Sequence, residues 1–289
     1  MNQPNYKVKA NKPPFKMFFL ILFLQVTVIF GTGCSSFSSG RQYDVVETRL
    51  SEADFHVEIV KYGTATPVAR SLLILPPTGG ETFLDRSYAR TFAEAGYDVY
   101  IIKQWTGLDE RSSDLEIHQR LYTRAQKAIE IVLAQISSPY IGLLGTSVGA
   151  LHGAVAASKQ SRLNSVFIIT GGAPITEVIA TSDQKAMQKL REERRNRFGF
   201  KTIEENRVAI AERFFLEPMQ LGDGYRKKAL GMVITEQDGT VPSANQEKLK
   251  NYWQPQKVIT YSNGHFLGII KAWMFNKDDI FDFFQANAK

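Results

Sequence analysis

Six short apolar runs recur along the chain, and they constrain its fold more than any other feature. Ser71–Leu75, Asp98–Lys103, Tyr140–Leu144, Ser165–Thr170, Leu230–Thr235 and Lys257–Tyr261 each read as a nearly continuous apolar stretch. Runs of this length suit strands buried on both faces. Segments of helical period separate them. Ile117, Leu121, Ala125, Ile129, Val132 and Ile136 form one such stripe, as a helix with one face on a core requires. Ser113 and Glu116 predict a capping box at its start, and Ser243 with Gln246 predicts another for a helix running to Trp253. A last helical stretch is expected from Phe266 to Ala288, with a break near Asn276. Strands alternating with helices predict an α/β fold: a mostly parallel sheet with helices on both faces. Tyr43–Thr48 and Phe55–Tyr62 alternate apolar with polar residues instead, which predicts half-exposed antiparallel strands.

The chain has 289 residues, 44% of them apolar and 22% charged. That is the composition of a globular protein with enough surface to bury a core without staples. The single cysteine excludes an internal disulfide and any multi-cysteine zinc cluster. The net charge of +6 is uneven: Lys7, Lys9, Lys12 and Lys16 stand in residues 1–33 with no acid among them. Without those four lysines, 31 basic residues face 29 acidic ones. Bulk charge therefore gives no reason to expect a nucleic-acid partner.

The four lysines precede the apolar run Met17–Phe30. It is shorter than the ~20 residues that span a bilayer, and it has the order of a secretory signal. Gly31-Thr32-Gly33-Cys34 follows. Small residues ahead of a lone cysteine resemble a bacterial lipobox, although Gly31 stands where an aliphatic residue is usual. The resemblance implies a signal peptide over 1–33, a lipidated Cys34 at the mature N-terminus and a membrane held through that anchor. An ordinary signal peptide or an uncleaved anchor is the alternative. Ser35, rather than an acid, follows the cysteine, which in enteric bacteria goes with the outer membrane. The Ser-rich residues 34–42 then form a tether, leaving 43–289 as the folded domain.

Between Ser165–Thr170 and Leu230–Thr235 no strand signal occurs. Ile175, Val178 and Ile179, then Met187 and Leu190, fall at helical spacing, and Thr202 with Glu205 suits another helix start. Lys185–Lys201 carries seven basic residues against Glu192 and Glu193. This predicts a helical insertion over the sheet, with a solvated basic face or a surface for anionic lipid or an acidic substrate. Its Tyr, Phe and Met residues suit an apolar acyl group or core packing equally.

Gly145-Thr146-Ser147-Val148-Gly149 follows the buried run Tyr140–Leu144 and opens a segment rich in glycine and alanine. A strand, a sharp turn and a helix are the setting of a nucleophile elbow. Side chains at 145 or 149 would clash there, and the absence of a following lysine argues against a phosphate loop. A serine needs a base. Of His56, His118, His152 and His265, only His265 follows a predicted strand, through Ser262-Asn263-Gly264, to the carboxyl edge of the sheet. His152 lies on the elbow helix and is expected to pack away from the Ser147 oxygen. For the acid, Asp238 sits just after Leu230–Thr235, with Glu236, Asp109 and Asp114 as weaker candidates.

Ser147, Asp238 and His265 occur in that order, spaced 91 and 27 residues apart, each after a buried run. The chain thus resembles the α/β-hydrolase superfamily over Asp54–Ala288. The resemblance implies a Ser-His-Asp triad acting on a small-molecule or lipid-like acyl substrate without cofactor or metal. It implies a helical cap at about 174–228. It also implies an oxyanion hole from the Val148 amide and a second amide in Pro76-Pro77-Thr78-Gly79-Gly80. Proline has no N–H, which leaves Thr78 first and Gly79 second; the His-Gly usual in that loop is missing. A non-catalytic binding or assembly lipoprotein retaining the fold is the rival reading.

Overall fold

A computed structural model describes residues 43–53, 55–64, 66, 68–105 and 112–288. The expected signal segment, Cys34, the tether and Asp109 lie outside the described residues. Eight strands form one sheet: β1 (Asp44–Glu52), β2 (Phe55–Gly63), β3 (Arg70–Leu75), β4 (Asp98–Ile102), β5 (Tyr140–Thr146), β6 (Ser165–Ile169), β7 (Ala229–Thr235) and β8 (Lys257–Tyr261). Their order is β1-β2-β4-β3-β5-β6-β7-β8. The β1–β2 and β2–β4 pairs are antiparallel, and every other pair is parallel.

The apolar runs become the central strands because both faces are covered. β4 through β7 are buried at every position, and β3 at all but its first. β8 is the exception. Its run reads like the others, yet its residues are half-buried or exposed, because it closes the sheet as an edge. β1 is almost wholly exposed rather than half-exposed, because it pairs only with β2 at the edge of the sheet.

Helices α2 (Ile117–Gln135), α3 (Val148–Lys159) and α7 (Ser243–Trp253) belong to one packed layer, in which Ile129, Val132, Ala154 and Leu249 bury against Leu73, Leu143 and Met232. The other layer holds α1 (Phe83–Glu94) and α8 (His265–Asn287), whose Phe92, Ile280 and Phe284 bury against Leu72, Val99 and Phe167. α1 is an unexpected helix. Thr82 caps it, with Asp85 returning the bond to the Thr82 amide in a capping box. α8 begins at His265 and has non-helical dihedrals at Asn276, where the break was expected.

Two expected capping boxes do not form. α2 starts after Glu116 with no side-chain cap; Ser113 instead accepts from Arg197 through its hydroxyl and from Arg194 through its carbonyl. α7 starts after Pro242, and Gln246 turns inward rather than back to the helix start. The box at Thr202 does contribute its side-chain cap, accepting from the Glu205 amide.

Between β6 and β7 lie α4 (Ile175–Thr181), α5 (Lys185–Phe198), α6 (Ile203–Ala211) and two short 3₁₀ turns, Pro218–Gln220 and Asp223–Lys227. Buried Glu217 fastens this segment, accepting from the Ile175 and Thr176 amides at the start of α4. Burial pushes the Glu217 carboxyl up from its ordinary value despite those bonds. The α4–α5 turn also docks on the loop after β7: the Asp183 amide donates to the Gly239 carbonyl at 2.8 Å.

Candidate active site

The elbow is built by close approach of backbone to backbone. A Cβ at Gly145 would lie 2.6 Å from the Gly149 carbonyl oxygen, and one at Gly149 would overlap the Leu75 carbonyl. Only glycine lets α3 begin this near the ends of β3 and β5. Between them, Ser147 is held at φ 55° and ψ −119°, a conformation that costs a non-glycine residue on the order of 1–3 kcal/mol. Its amide donates to Ile169 at 2.9 Å, while its carbonyl accepts from Ala150 and Leu151. The neighbouring strand and the first helical turn thus hold the strained residue from both sides.

Ser147 Oγ lies 2.8 Å from His265 Nε2. His265 Nδ1 lies 2.7 Å from Asp238 Oδ2. His265 is the first residue of α8 and Asp238 stands three residues past β7. Parallel neighbours β5, β6 and β7 bring their carboxyl ends to one edge, where these side chains meet.

Asp238 is fully enclosed, with no exposed side-chain surface. Five donors serve it: Thr235 Oγ1, Gln246 Nε2 and His265 at Oδ2, and the Thr240 and Val241 amides at Oδ1. Thr235 and Gln246 escaped sequence reading. Gln246 has the spacing of a helix cap, yet its amide is completely used inside. It donates to Asp238 and to the Val241 carbonyl and accepts from the Thr235 amide. The alternative acids are elsewhere. Glu236 is exposed, and Asp114 is engaged by Arg120, whose bond holds that carboxyl below its ordinary value.

A cavity of about 550 Å³ opens at Ser147. Val148 and Thr78 line it, and Gly79 does not. Neither the Val148 nor the Thr78 amide donates to a carbonyl among the described residues. Gly80 needs its glycine, since φ is +99° and a Cβ would overlap the Lys103 carbonyl. Val178, Ile179, Ser182 and Met187 bring the α4–α5 segment into the cavity wall. The aromatic residues of that segment do not line it: Phe198 packs on Phe200, and Phe215 is exposed.

The other histidines are placed apart from the Ser147–His265 bond. His152 is 3% exposed, its ring 4.6 Å from Trp105 and 4.3 Å from Tyr122. Burial pushes His152 and His118 down to about 3, with the Arg194 charge a further cause at His118. Both are neutral at pH 7. His56 is exposed on β2. Among the described residues no group of three or more His, Cys, Asp or Glu could hold a metal ion, and no helix is long and apolar enough to cross a membrane.

Comparison with solved structures places this architecture. An acetyl xylan esterase from Paenibacillus sp. R4 superposes with a TM-score of 0.64 at 15% identity, covering 97% of this chain and 96% of its own. Acetyl xylan esterase 1 from Thermoanaerobacterium sp. JW/SL YS485 gives 0.63 at 14%, over 89% and 87%. Pyrococcus horikoshii acylaminoacyl peptidase gives 0.65 at 13%, over 87% of this chain but only 43% of the peptidase, so the chain spans less than half of that protein. No family model matches the sequence, and neither does any curated protein sequence. The chain has the α/β-hydrolase fold, with an eight-stranded, mostly parallel sheet.

Proposed function

We propose that this chain is a serine hydrolase that cleaves a carboxylic ester, with thioesters and amides as chemically related substrates, through an acyl-enzyme. One observation carries the reading: an unbroken hydrogen-bonded line from Ser147 Oγ through His265 to a caged Asp238, with Ser147 held in a strained turn at φ 55°. That an esterase and a peptidase share the fold adds support for acyl transfer.

In this mechanism Ser147 Oγ attacks the carbonyl carbon while His265 Nε2 takes its proton. The oxyanion faces the Val148 and Thr78 amides, with Gly79 the second choice to Thr78. Removal of one such donor typically costs about 2.7–4 kcal/mol. Collapse releases the alcohol, protonated by His265. Water then attacks the acyl-enzyme with His265 again as base, and Ser147 is restored. Asp238 keeps the imidazole in the tautomer that presents Nε2 to Ser147. Residues 174–228 act as the cap over the acyl site.

The same proposal puts the enzyme in a bacterial envelope, released from a signal peptide over 1–33 and held by lipid on Cys34. Intact mass of the membrane-extracted protein tests it: an unmodified thiol at Cys34, or a mature terminus elsewhere, removes the anchor and leaves the chemistry. The chemistry is tested by labelling with a fluorophosphonate, expected in the wild type and absent in Ser147→Ala. A folded wild-type protein that neither labels nor hydrolyses any acyl ester is a binding protein, not an enzyme.

A further inference from the structure

The turn proposed to supply the second oxyanion amide is tied at both ends by the chain that leaves β4. At its near end the Trp105 indole Nε1 donates to the Pro76 carbonyl at 3.0 Å. At its far end the Glu81 amide donates to the Lys103 carbonyl at 2.7 Å. The Gly80 amide closes the turn between them, donating to the Pro77 carbonyl at 3.1 Å. Thr78 and Gly79 stand exposed inside it. The far tie runs from backbone to backbone and asks little of the side chains there. The near tie depends on one side chain, that of Trp105.

Buried Pro76 lies between the two proposed donors. Its carbonyl abuts the first turn of α3: a Cβ at Gly149, the residue after Val148, would lie 2.5 Å from that oxygen. In the other direction the chain runs through Pro77 to Thr78. A shift at Pro76 therefore changes the distance between the Thr78 and Val148 amides. An oxyanion hole depends on that distance, because its donors must lie about 2.7–3.1 Å from the developing oxyanion. Trp105 is itself held, its ring 4.6 Å from the His152 ring on α3. One side chain thus touches both the elbow helix and the loop that faces it. Trp105, Thr78, Val148 and Ser147 line the same cavity. An indole has a single polar hydrogen, on Nε1, and here it is given to the loop.

We propose that Trp105 is a positioning residue for the oxyanion hole: its indole N–H, acting through the Pro76 carbonyl, sets the Thr78 amide at the distance from Val148 that the transition state requires. The inference rests on the serine-hydrolase reading and deepens it, giving the second amide a support from outside its own loop. The role is felt in the transition state more than in the substrate complex, since the carbonyl oxygen takes on its charge only as Ser147 adds to the carbon. A plain wall contact of the Trp105 ring would instead bind substrate and transition state alike.

The test compares the wild type with Trp105→Phe, which keeps an aromatic ring and removes the N–H. Kinetics with a p-nitrophenyl ester should show kcat lower by about ten-fold or more, with KM within about two-fold, because a misplacement on the order of 1 Å can cost about 10²-fold. Affinity for a trifluoromethyl ketone, whose adduct with Ser147 puts an oxyanion on the same donors, should fall about as far as kcat. Replacing Trp105 with benzothienylalanine keeps the shape of the indole without its N–H, and reads the same losses if Trp105→Phe does not fold. Trp273→Phe removes an indole N–H bonded to Ser87 at 2.9 Å and is expected to leave kcat and ketone affinity unchanged. An unchanged kcat, a loss confined to KM or an unchanged ketone affinity at position 105 overturns the inference, as does an equal loss in Trp273→Phe. Fluorophosphonate labelling separates the two claims. A labelled, active wild type whose position-105 variants match it overturns only this one, and a wild type that neither labels nor hydrolyses overturns both.

Discussion

Asp238 and His152 are both buried polar side chains near the carboxyl edge of the sheet, and their surroundings treat them in opposite ways. Asp238 receives five hydrogen bonds. His152 has a ring nitrogen with no partner among the described residues, on the wall of a cavity. The first arrangement spends every donor on fixing one geometry, so the carboxylate cannot turn and His265 cannot choose another partner. The second leaves a ring nitrogen without a partner beside the Trp105 and Tyr122 rings. Complete satisfaction fixes one geometry, and a buried group without a partner carries a cost that the fold meets elsewhere.

The comparison breaks most visibly through activity. Ser147→Ala is expected to lower kcat by about 10⁴–10⁶, with His265→Ala similar and the double variant no worse, since the residues act as a unit. Asp238→Asn is expected to cost about 10⁴ in kcat through the wrong imidazole tautomer. Glu236→Gln, at an exposed position, is expected to change little. Steady-state kinetics with a chromogenic ester decides the ranking, and a larger loss at Glu236 than at Asp238 would move the acid role.

Stability sharpens the comparison at smaller magnitude. Gln246→Leu strips one donor from Asp238 and an acceptor from the Thr235 amide, so denaturant unfolding should show a loss of about 1–3 kcal/mol. His152→Phe removes an orphan instead. Its unfolding free energy is expected within about 1 kcal/mol of the wild type, or above it, because no buried partner of the ring nitrogen Nδ1 is stranded. Equal losses in the two variants would erase the distinction between a caged and an unpartnered group.

The pH dependence of stability gives a third comparison. His118 and His152 are held at about 3 in the fold, mainly by burial, against about 6.5 when unfolded. Between those values the unfolded chain binds more protons, so stability is full above pH 6.5 and declines as pH falls toward 3. The thermal midpoint should fall over that window, less steeply in a His118→Phe, His152→Phe double variant. An identical slope in the two proteins would mean that other groups carry the acid response.

Much of this was legible from the residues in order. The apolar runs became strands within one or two residues of their expected ends, and Ser147 and Asp238 are each brought within hydrogen-bonding distance of His265. The misses share a cause. α1 carries Leu84, Tyr88 and Phe92 at helical spacing, a stripe diluted by Arg86, Arg90 and Glu94 until a sheet face covers it. Lys257–Tyr261 looks as apolar as its fellows, and whether a strand is central or an edge depends on what lies beside it. Gln246 satisfies the spacing of a capping box, but an inward amide with four polar groups around it is a better bargain than a solvent-facing cap.

Sequence alone determined the features that consecutive residues carry. Apolar period sets strand against helix, and the glycines at 145 and 149 permit a turn that no side chain would allow. Tertiary structure decided everything that needs distant residues at one point. The parallel order β5-β6-β7-β8 brings Ser147 and His265, 118 positions apart, to 2.8 Å. It also decides which buried polar groups find partners and which do not. Hydrogen bonding and desolvation act over a few ångströms of space, and no spacing along the chain records which side chains will share them.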